Sequence, residues 1–528
     1  MVAVTWCSLL DNEIAERIVK GSFILSVGQF VSVIVGYLFS VLVANLLGRE
    51  NYGLLSIALT YPSMIASLVD LGLSGVITRY VAKPGSNKDV YAWTGLMLRS
   101  ITSFMGGLVV YSLADYFASL LRRPILVEPL RILSIYTVFT SLLGVLAAVF
   151  SGLGKYEVSA SINIVQYIVR GPLAILFILL GLGINGAALA YSIGYAVVTT
   201  LYMILFVSMF KHPVFSLLAA EKMISVSWPL FLASLSSVFL KPVVDTIISR
   251  NVLESDLGDY GAALNSLMPL GILLGAISTA IFTSLPILIE DKIQLRESAK
   301  DAAFYSSTIS TALGFCYLSV IYPLVRIYGR SFVNAPFYAI IYGLSNILPV
   351  LLGSLVIGSY FIILKTTKYN VAANIPGFFT IIALSYVLVP LRGILGSGLA
   401  YIAGNIVSSI IAYVIARRKL GLTLDLSRNI RAFIPSLIAF GIGFSASAII
   451  TIYVSSLATI YYLLGLLIAT MVGLTTYSAT YLLILPFFTD KETIRNLINM
   501  ASSLEYVGDI IKFIGTKYLD FVTGKIIK

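Results

Sequence analysis

The chain has 528 residues, 59% apolar and 11% charged, with a mean hydropathy of +0.97 and a formal net charge of +11. Soluble globular chains carry about 25% charge and about 45–50% apolar residues, so this composition excludes an ordinary soluble enzyme and points to a polytopic membrane protein. Cys7 and Cys316 stand alone and indicate neither a disulfide framework nor a metal site, and the single histidine, His212, beside Lys211 and Pro213, reads as a surface residue.

Residues 1–20 form a cytoplasmic N-terminal segment. Its first ten residues are apolar but lack a preceding basic region, so no cleavable signal peptide is expected. A membrane helix needs about 20 apolar residues. That rule predicts spans near 21–47, 53–76, 100–121, 130–151, 158–181, 184–210, 226–248, 261–289, 302–325, 335–363, 371–391, 394–416, 432–454 and 459–486. Both termini then lie on one side. With the N-terminus inside, the outer loops hold Arg49, Arg122, Arg123, Arg131, Arg250, Arg326, Arg330 and Arg392. Arg170 and Lys241 fall within spans, and the other 25 of the 35 basic residues face the cytoplasm. The positive-inside rule therefore sets both termini in the cytoplasm of a multi-pass cell-membrane protein. The same bias accounts for the net charge without nucleic acid: Arg417, Arg418 and Lys419 read as anchors toward anionic membrane lipids. In the tail, 487–528, the residues Leu504, Val507, Ile511, Ile514, Tyr518 and Phe521 recur at helical spacing among lysines. That pattern describes an amphipathic helix lying on the membrane or packed on the protein.

A repeat runs through these spans. Lys155-Tyr156-Glu157-Val158-Ser159-Ala160-Ser161-Ile162 returns from Lys368 to Ile375 with five of eight positions identical. Gly183 to Val197 returns as Gly393 to Val407 with eight of fifteen identical, and Tyr52-Gly53 returns as Tyr260-Gly261. The offsets are 213, 210 and 208 residues. Three echoes in one order at nearly one spacing imply two related membrane halves, an arrangement suited to alternating access.

Val43 to Ala82 resembles the opening of prokaryotic polysaccharide flippases, within the multidrug/oligosaccharidyl-lipid/polysaccharide exporter superfamily. The resemblance rests on Leu47-Gly48, Tyr52-Gly53, Asp70-Leu71-Gly72-Leu73 and Thr78-Arg79-Tyr80. It continues through Gly181 to Ala187, Trp228-Pro229-Leu230, Asp245, Tyr260 to Ala263, and Pro390 to Gly396. It covers about residues 17 to 418. It implies an all-α protein with two pseudo-symmetric six-helix lobes, 21–210 and 226–418, around a central cavity. The helix pair in 432–486 is an addition. It also implies flipping of a polyprenyl-linked oligosaccharide from the cytoplasmic to the outer leaflet.

Such a headgroup carries phosphate and sugar through about 30 Å of hydrocarbon, so ionisable residues within spans are functional candidates. Arg170, with Gln166 one turn earlier, either lines a polar cavity or pairs with a carboxylate between helices; a guanidinium suits phosphate. Lys241 and Asp245 are spaced i,i+4: they neutralise one another, or Asp245 exchanges H+ or Na+ as a coupling site. Asp70, Arg79 and Arg99 form an inner gate or serve as interface anchors. Lys20 and Arg17 capture an anionic headgroup at the cytoplasmic mouth or simply flank the first span. Gln29, Asn163, Asn265, Asn346, Asn374 and Asn405 are neutral polar groups at membrane depth, fit for sugar hydroxyls or helix contacts. Pro62, Pro172, Pro229, Pro269 and Pro349 permit bends.

The sequence shows no nucleophile–base set, nucleotide loop or zinc spacing. No cofactor is expected, and energy would come from an ion gradient, the membrane potential or the lipid gradient. Pathway logic alone suggests glycosyltransferase or polymerase partners. Three other readings stand beside the flippase. An organic-cation antiporter calls for acidic residues deep in the first lobe, where this chain has Arg170. A membrane-embedded glycosyltransferase or polymerase calls for a long extramembrane loop, which no inter-span segment supplies. A lipid scramblase is the third.

Overall fold

The computed structural model describes residues 12–285, 292–364, 366–456, 458–502, 512, 515 and 517–519. The side chains of 12–23, 26, 230, 233, 283, 284, 292, 459 and 501 lie outside the described set. Among the described residues all regular structure is helical. The first lobe holds α1 (Asn12–Ala58), α2 (Thr60–Leu68), α3 (Leu73–Ala82), α4 (Lys88–Ser112), α5 (Ala114–Leu120), α6 (Val127–Gly152), α7 (Tyr156–Phe177) and α8 (Gly183–Met209). The second holds α9 (Leu217–Asn251), α10 (Glu254–Ser266), α11 (Met268–Ser284), α12 (Lys292–Ser319), α13 (Ile321–Arg326), α14 (Ala335–Ile347), α15 (Ser354–Ile363), α16 (Lys368–Arg392) and α17 (Ile394–Leu420). Then come α18 (Leu426–Val454), α19 (Thr459–Phe488) and α20 (Lys491–Ser502).

Among the described residues nine helical stretches are long and apolar enough to cross a membrane, or eleven if two bent pairs each count as one span. The difference from the fourteen predicted passes has local causes. Val27–Leu68 and Tyr156–Met209 each hold two predicted passes. They are divided by Gly48 (φ 78, ψ 166) and by Gly181 and Gly183 (φ 83 and 52). α12 falls short on apolarity, since Ser306, Ser307, Thr308, Ser310 and Thr311 lie along it. All five are buried, so the protein shields them from lipid. The second predicted pass, 53–76, ends early: the helical run stops at Leu68, and Leu71 and Gly72 (φ 49 and 74) turn the chain before α3.

The repeat has a structural counterpart. Gly183 sits at φ 52, ψ −129 and Gly393 at φ 57, ψ −138, a region that only a residue without Cβ enters freely. Each glycine makes the tight turn into the lobe's last long helix. Packing follows the same scheme in both lobes. α1 lies on α7, α7 on α8 and α6 on α8; correspondingly α9 lies on α16, α16 on α17 and α14 on α17.

Among the described residues the lobes share a core at one end only. The largest apolar cluster joins Leu47, Leu54 and Ala58 of α1 to Val244 and Ile248 of α9 and Leu257 and Ala262 of α10. At the other end each lobe has its own cluster. Val76, Phe150 and Phe206 are buried in the first lobe, and Leu295, Phe361 and Leu422 in the second. α9 links the two lobes. Its Leu217–Pro229 part packs on the first lobe, where Met223 is fully buried, and it bends by 64° before Ser234–Asn251 joins the interface.

The added pair α18 and α19 is fastened to α12 and α13. Ser447 Oγ donates to Ser319 O at 2.6 Å, Tyr477 OH to Ala312 O at 2.7 Å and Tyr462 OH to Arg326 O at 3.0 Å. Of the predicted tail helix, Leu504, Val507, Ile511, Ile514 and Phe521 lie outside the described residues; Tyr518 OH donates to Leu482 O at 2.5 Å. α20 lies against the second lobe, with Ile494 buried and Asn496 Nδ2 donating to Tyr305 OH at 2.9 Å.

Candidate functional site

A cavity of about 600 Å³ lies between the lobes, walled by α1, α2, α7 and α8 on one side and α9, α10 and α11 on the other. Arg170 and Lys241 both line it, one from each lobe, and no carboxylate is among its described wall residues. Tyr52 and Tyr260, equivalent positions of the repeat, face it from the two sides. Tyr37, Tyr167, Tyr191, Asn265, Thr60 and a row of serines supply further hydrogen-bonding groups.

Arg170 is set by close packing. Helices α1 and α7 approach through glycine. A Cβ at Gly36 would lie 2.5 Å from the Tyr167 ring, and one at Gly171 would lie 2.2 Å from the Phe39 ring. On α8, Gly194 leaves room for the Arg170 stem, whose Cβ is 3.0 Å from where a side chain would start. The guanidinium sits 4.1 Å from the Tyr191 ring centroid and 4.8 Å from that of Tyr167. Cation–π contacts stabilise the charge without neutralising it. Arg170 has no ion pair among the described residues, so its charge is free to face an anion. Gln166 does not share this wall: it is 3% exposed, off the cavity, and its Nε2 has no partner among the described residues. The pairing of Arg170 and Gln166 as one polar face is thereby corrected.

Lys241 and Asp245 do pair, and the surroundings of the two differ. The Lys241 side chain is 55% exposed and on the cavity wall, whereas that of Asp245 has no exposure. Besides Lys241 Nζ, Asp245 accepts from Thr60 Oγ1 at 2.8 Å and from Tyr260 OH at 2.9 Å. Thr60 belongs to the other lobe. Beside it, Tyr61 OH and Thr246 Oγ1 lie 2.8 Å apart. The i,i+4 pair is therefore part of a polar junction between lobes.

More cross-lobe bonds lie at the end with the shared core. Arg49 donates from Nε and NH2 to Asp259 at 3.2 and 2.6 Å, and Asp259 also accepts from Asn334 N at 3.0 Å. Arg123 meets Glu254 at 3.3 Å and donates to Val252 O at 2.6 Å. Asn265 Nδ2 donates to Tyr52 OH at 2.6 Å. Backbones nearly touch here: a Cβ at Gly53 would lie 2.3 Å from Gly258 N. This end is closed, while at the opposite end, where the lobes part, no buried apolar cluster joins them among the described residues.

Asp70, Arg79 and Arg99 form no interlobe ion pair among the described residues. Asp70 meets Arg99 at 3.0 Å, but both belong to the first lobe, and Arg99 also donates to Ser141 O at 3.2 Å. Arg79 is exposed and separate from them. The group ties the turn after α2 to α4 and α6. Lys20 and Arg17 have side chains outside the described residues. Of the neutral polar candidates only Asn265 reaches the cavity; Asn346 and Asn405 donate to the backbone carbonyls of Tyr342 and Ser345. Sequence reasoning missed the Arg49–Asp259 and Arg123–Glu254 links, and it read Tyr52 and Tyr260 as a repeat without seeing that both face one cavity. Among the described residues no three His, Cys, Asp or Glu side chains gather as a metal site.

Residues 18–290 match the family model described as polysaccharide biosynthesis protein. No curated protein matches the chain in sequence. Among solved structures the chain resembles the lipid II flippase MurJ in an inward closed conformation, with a TM-score of 0.67 at 17% identity, over 87% of this chain and 98% of that one. It also resembles an inward-facing multidrug resistance MATE transporter of the MOP superfamily, with a TM-score of 0.57 at 16% identity over 75% and 94%. A MOP superfamily transporter from Pyrococcus furiosus, described as having a binding pocket of reversed polarity, gives a TM-score of 0.54 at 16% identity over 76% and 96%. These likenesses establish the two-lobed multi-pass membrane fold.

Proposed function

The chain belongs to the polysaccharide biosynthesis protein family, and from that premise we propose that it flips a polyprenyl-phosphate- or pyrophosphate-linked oligosaccharide from the cytoplasmic to the outer leaflet by alternating access, for cell-surface polysaccharide or glycoprotein synthesis. The observation that carries this reading is the pair Arg170 and Lys241, one on each lobe, facing one cavity with no carboxylate among its described wall residues. An anionic headgroup bridges them, and its sugar hydroxyls meet the tyrosines, serines and Asn265. The interlobe closure at the Arg49 end leaves the cavity to be loaded from the end where the lobes part, taken as cytoplasmic from the loop charges. Arg17 and Lys20 would stand at that entrance. An organic-cation antiporter is disfavoured by the same two charges.

Coupling is assigned to the Lys241–Asp245 junction. An anion drawing on Lys241 leaves the buried Asp245 carboxylate undercompensated, and a proton or Na+ restores the balance. Because Asp245 also binds Thr60, that exchange loosens the lobe contact.

The test is translocation in proteoliposomes, with a fluorescent polyprenyl-pyrophosphate oligosaccharide, external dithionite and a labelled phospholipid control. The saccharide lipid alone should move. A hydrogen bond to a charged group contributes about 1.5–3 kcal/mol, so Arg170→Ala should slow transport by about 10- to 150-fold while inserting normally. Asp245→Asn should abolish dependence on the ion gradient. Movement of both lipids would replace the flippase with a scramblase. Unimpaired flipping by Arg170→Ala would reject the cavity role of that residue.

A further inference from the structure

A second cavity, of about 410 Å³, lies where α12, α18 and α19 meet, at the end of the bundle where the lobes part. Phe304 and Phe488 give it an apolar side, and Arg428 and Arg431 a polar one. The two arginines are three residues apart on α18 and so share a face. Arg428 is held in place: its guanidinium is 3.9 Å from the Phe304 ring centroid and donates to Thr493 Oγ1 at 2.8 Å. Arg431 is exposed and has no ion pair among the described residues.

Two carboxylates also border this cavity, and both cap helix starts. Asp425 accepts from Arg428 N at 3.0 Å at the start of α18. Asp490 accepts from Thr493 N at 2.9 Å and Thr493 Oγ1 at 2.8 Å at the start of α20. Arg428 NH2 also lies 3.9 Å from Asp490 Oδ1, and the partial positive charge of each helix N-terminus offsets part of its cap, so the charge of Arg431 is left over. Thr489 Oγ1 is buried at the same cavity with no partner among the described residues. The candidate spans Leu426–Val454 and Ile460–Phe488 begin and end here, which sets the cavity at headgroup depth. Arg417, Arg418 and Lys419, at the end of α17, precede Asp425 of this cavity by six to eight residues in the chain.

We propose that this cavity binds the phosphate of a membrane phospholipid, with Arg431 and Arg428 as its cationic donors and Thr489 as a hydroxyl donor. Guanidinium forks match phosphate oxygens, and basic pockets between membrane helices suit such headgroups. The lipid would clamp α18 and α19 onto α12. The site is separate from the central cavity and does not depend on what that cavity carries.

The test uses the full chain, delipidated in mild detergent. It is titrated with dioleoylphosphatidylglycerol, with dioleoylglycerol (the same chains without phosphate) and with inorganic phosphate, reading the thermal-unfolding midpoint. A ligand that binds the folded state alone raises that midpoint with concentration. Only phosphatidylglycerol should do so saturably. Arg431→Gln should weaken its half-saturation about tenfold or more, as loss of a hydrogen bond to a charged group implies. Its lipid-free midpoint should be unchanged, because Arg431 has no ion pair to lose, and Arg431→Lys should keep part of the binding. Equal stabilisation by dioleoylglycerol, or a wild-type titration by Arg431→Gln, would overturn the phosphate site. Inorganic phosphate matching the lipid would overturn its assignment to a membrane lipid.

Discussion

Replacing Arg49 by Ala tests whether ion pairing holds the lobes closed at the end with the shared core. Both nitrogens of the Arg49 fork reach Asp259, at 3.2 and 2.6 Å. The side chains are 22% and 0% exposed. Removing one partner of a fully buried pair costs about 3–5 kcal/mol. Here the partial exposure of Arg49 and the remaining Asn334 N–H bond to Asp259 reduce this to about 2–3 kcal/mol. The loss falls only on the arrangement whose lobes meet at this end. At about 1.4 kcal/mol per factor of ten, the ratio of closed to open molecules falls roughly 30- to 150-fold. The assay labels a single cysteine, Ser56→Cys on the cavity wall, in a background with Cys7→Ser and Cys316→Ala. A membrane-impermeant maleimide is applied from the side that Arg49 faces. Arg49→Ala should label much faster than its parent, and Arg49→Lys should fall between them. Adding Asp259→Asn to Arg49→Ala should recover part of the protection, since a buried amide costs less than a buried unpaired charge. Unchanged labelling in Arg49→Ala would refute the latch. A double variant no better than the single would refute the buried-charge account of its size.

Thr60→Val keeps the side-chain shape and deletes the cross-lobe donor to Asp245; a lost bond to a charged group at about 1.5–3 kcal/mol should raise Ser56→Cys labelling in the same assay by tenfold or more, about as predicted by that range. Gly377→Ala would put a Cβ 1.9 Å from Ser408 Oγ and 2.6 Å from Gly404 O, where α16 crosses α17. Such overpacking costs about 1–3 kcal/mol, visible as a lower unfolding midpoint in detergent. At Asp490, partial burial raises the carboxyl, but the hydrogen bonds from Thr493 and the charge of Arg428 outweigh it and hold it below the usual carboxylate range. Its folded value is below its unfolded one, so its contribution is present above the usual carboxylate range and is lost as pH falls through the folded value. Asp490→Asn should therefore flatten the acid limb of a stability–pH curve below about pH 4, measured by thermal unfolding, and leave its slope near neutrality unchanged.

What the chain by itself determined follows from local rules. Span positions come from runs of apolar residues, because the hydrocarbon tolerates few charges. The two related lobes come from repeated words, and Gly183 and Gly393 adopt the same positive-φ turn because the repeat preserves a residue that can enter it. Arg170 stood out because it is a lone charge near the middle of a span. The misjudged features depend on rotation and distance. Gln166 shares the helical spacing of Arg170 but not its cavity, because four residues advance by about 400°, past a full circle, and neighbouring helices divide the faces. Asp70 and Arg99 were legible as residues of one lobe on one membrane side, fit for a gate or for interface anchors; the packing of α2, α4 and α6 shows that they bind each other and the Ser141 carbonyl. The partnership of Arg49 with Asp259 spans 210 residues, and each alone reads as a loop charge. The tertiary structure decided which of two ends closes, which tyrosines face each other, and which of Lys241 and Asp245 meets the cavity. These are properties of how two lobes meet. The periodicity of a single helix records that a face is buried, while the partner that buries it comes from the other half of the chain.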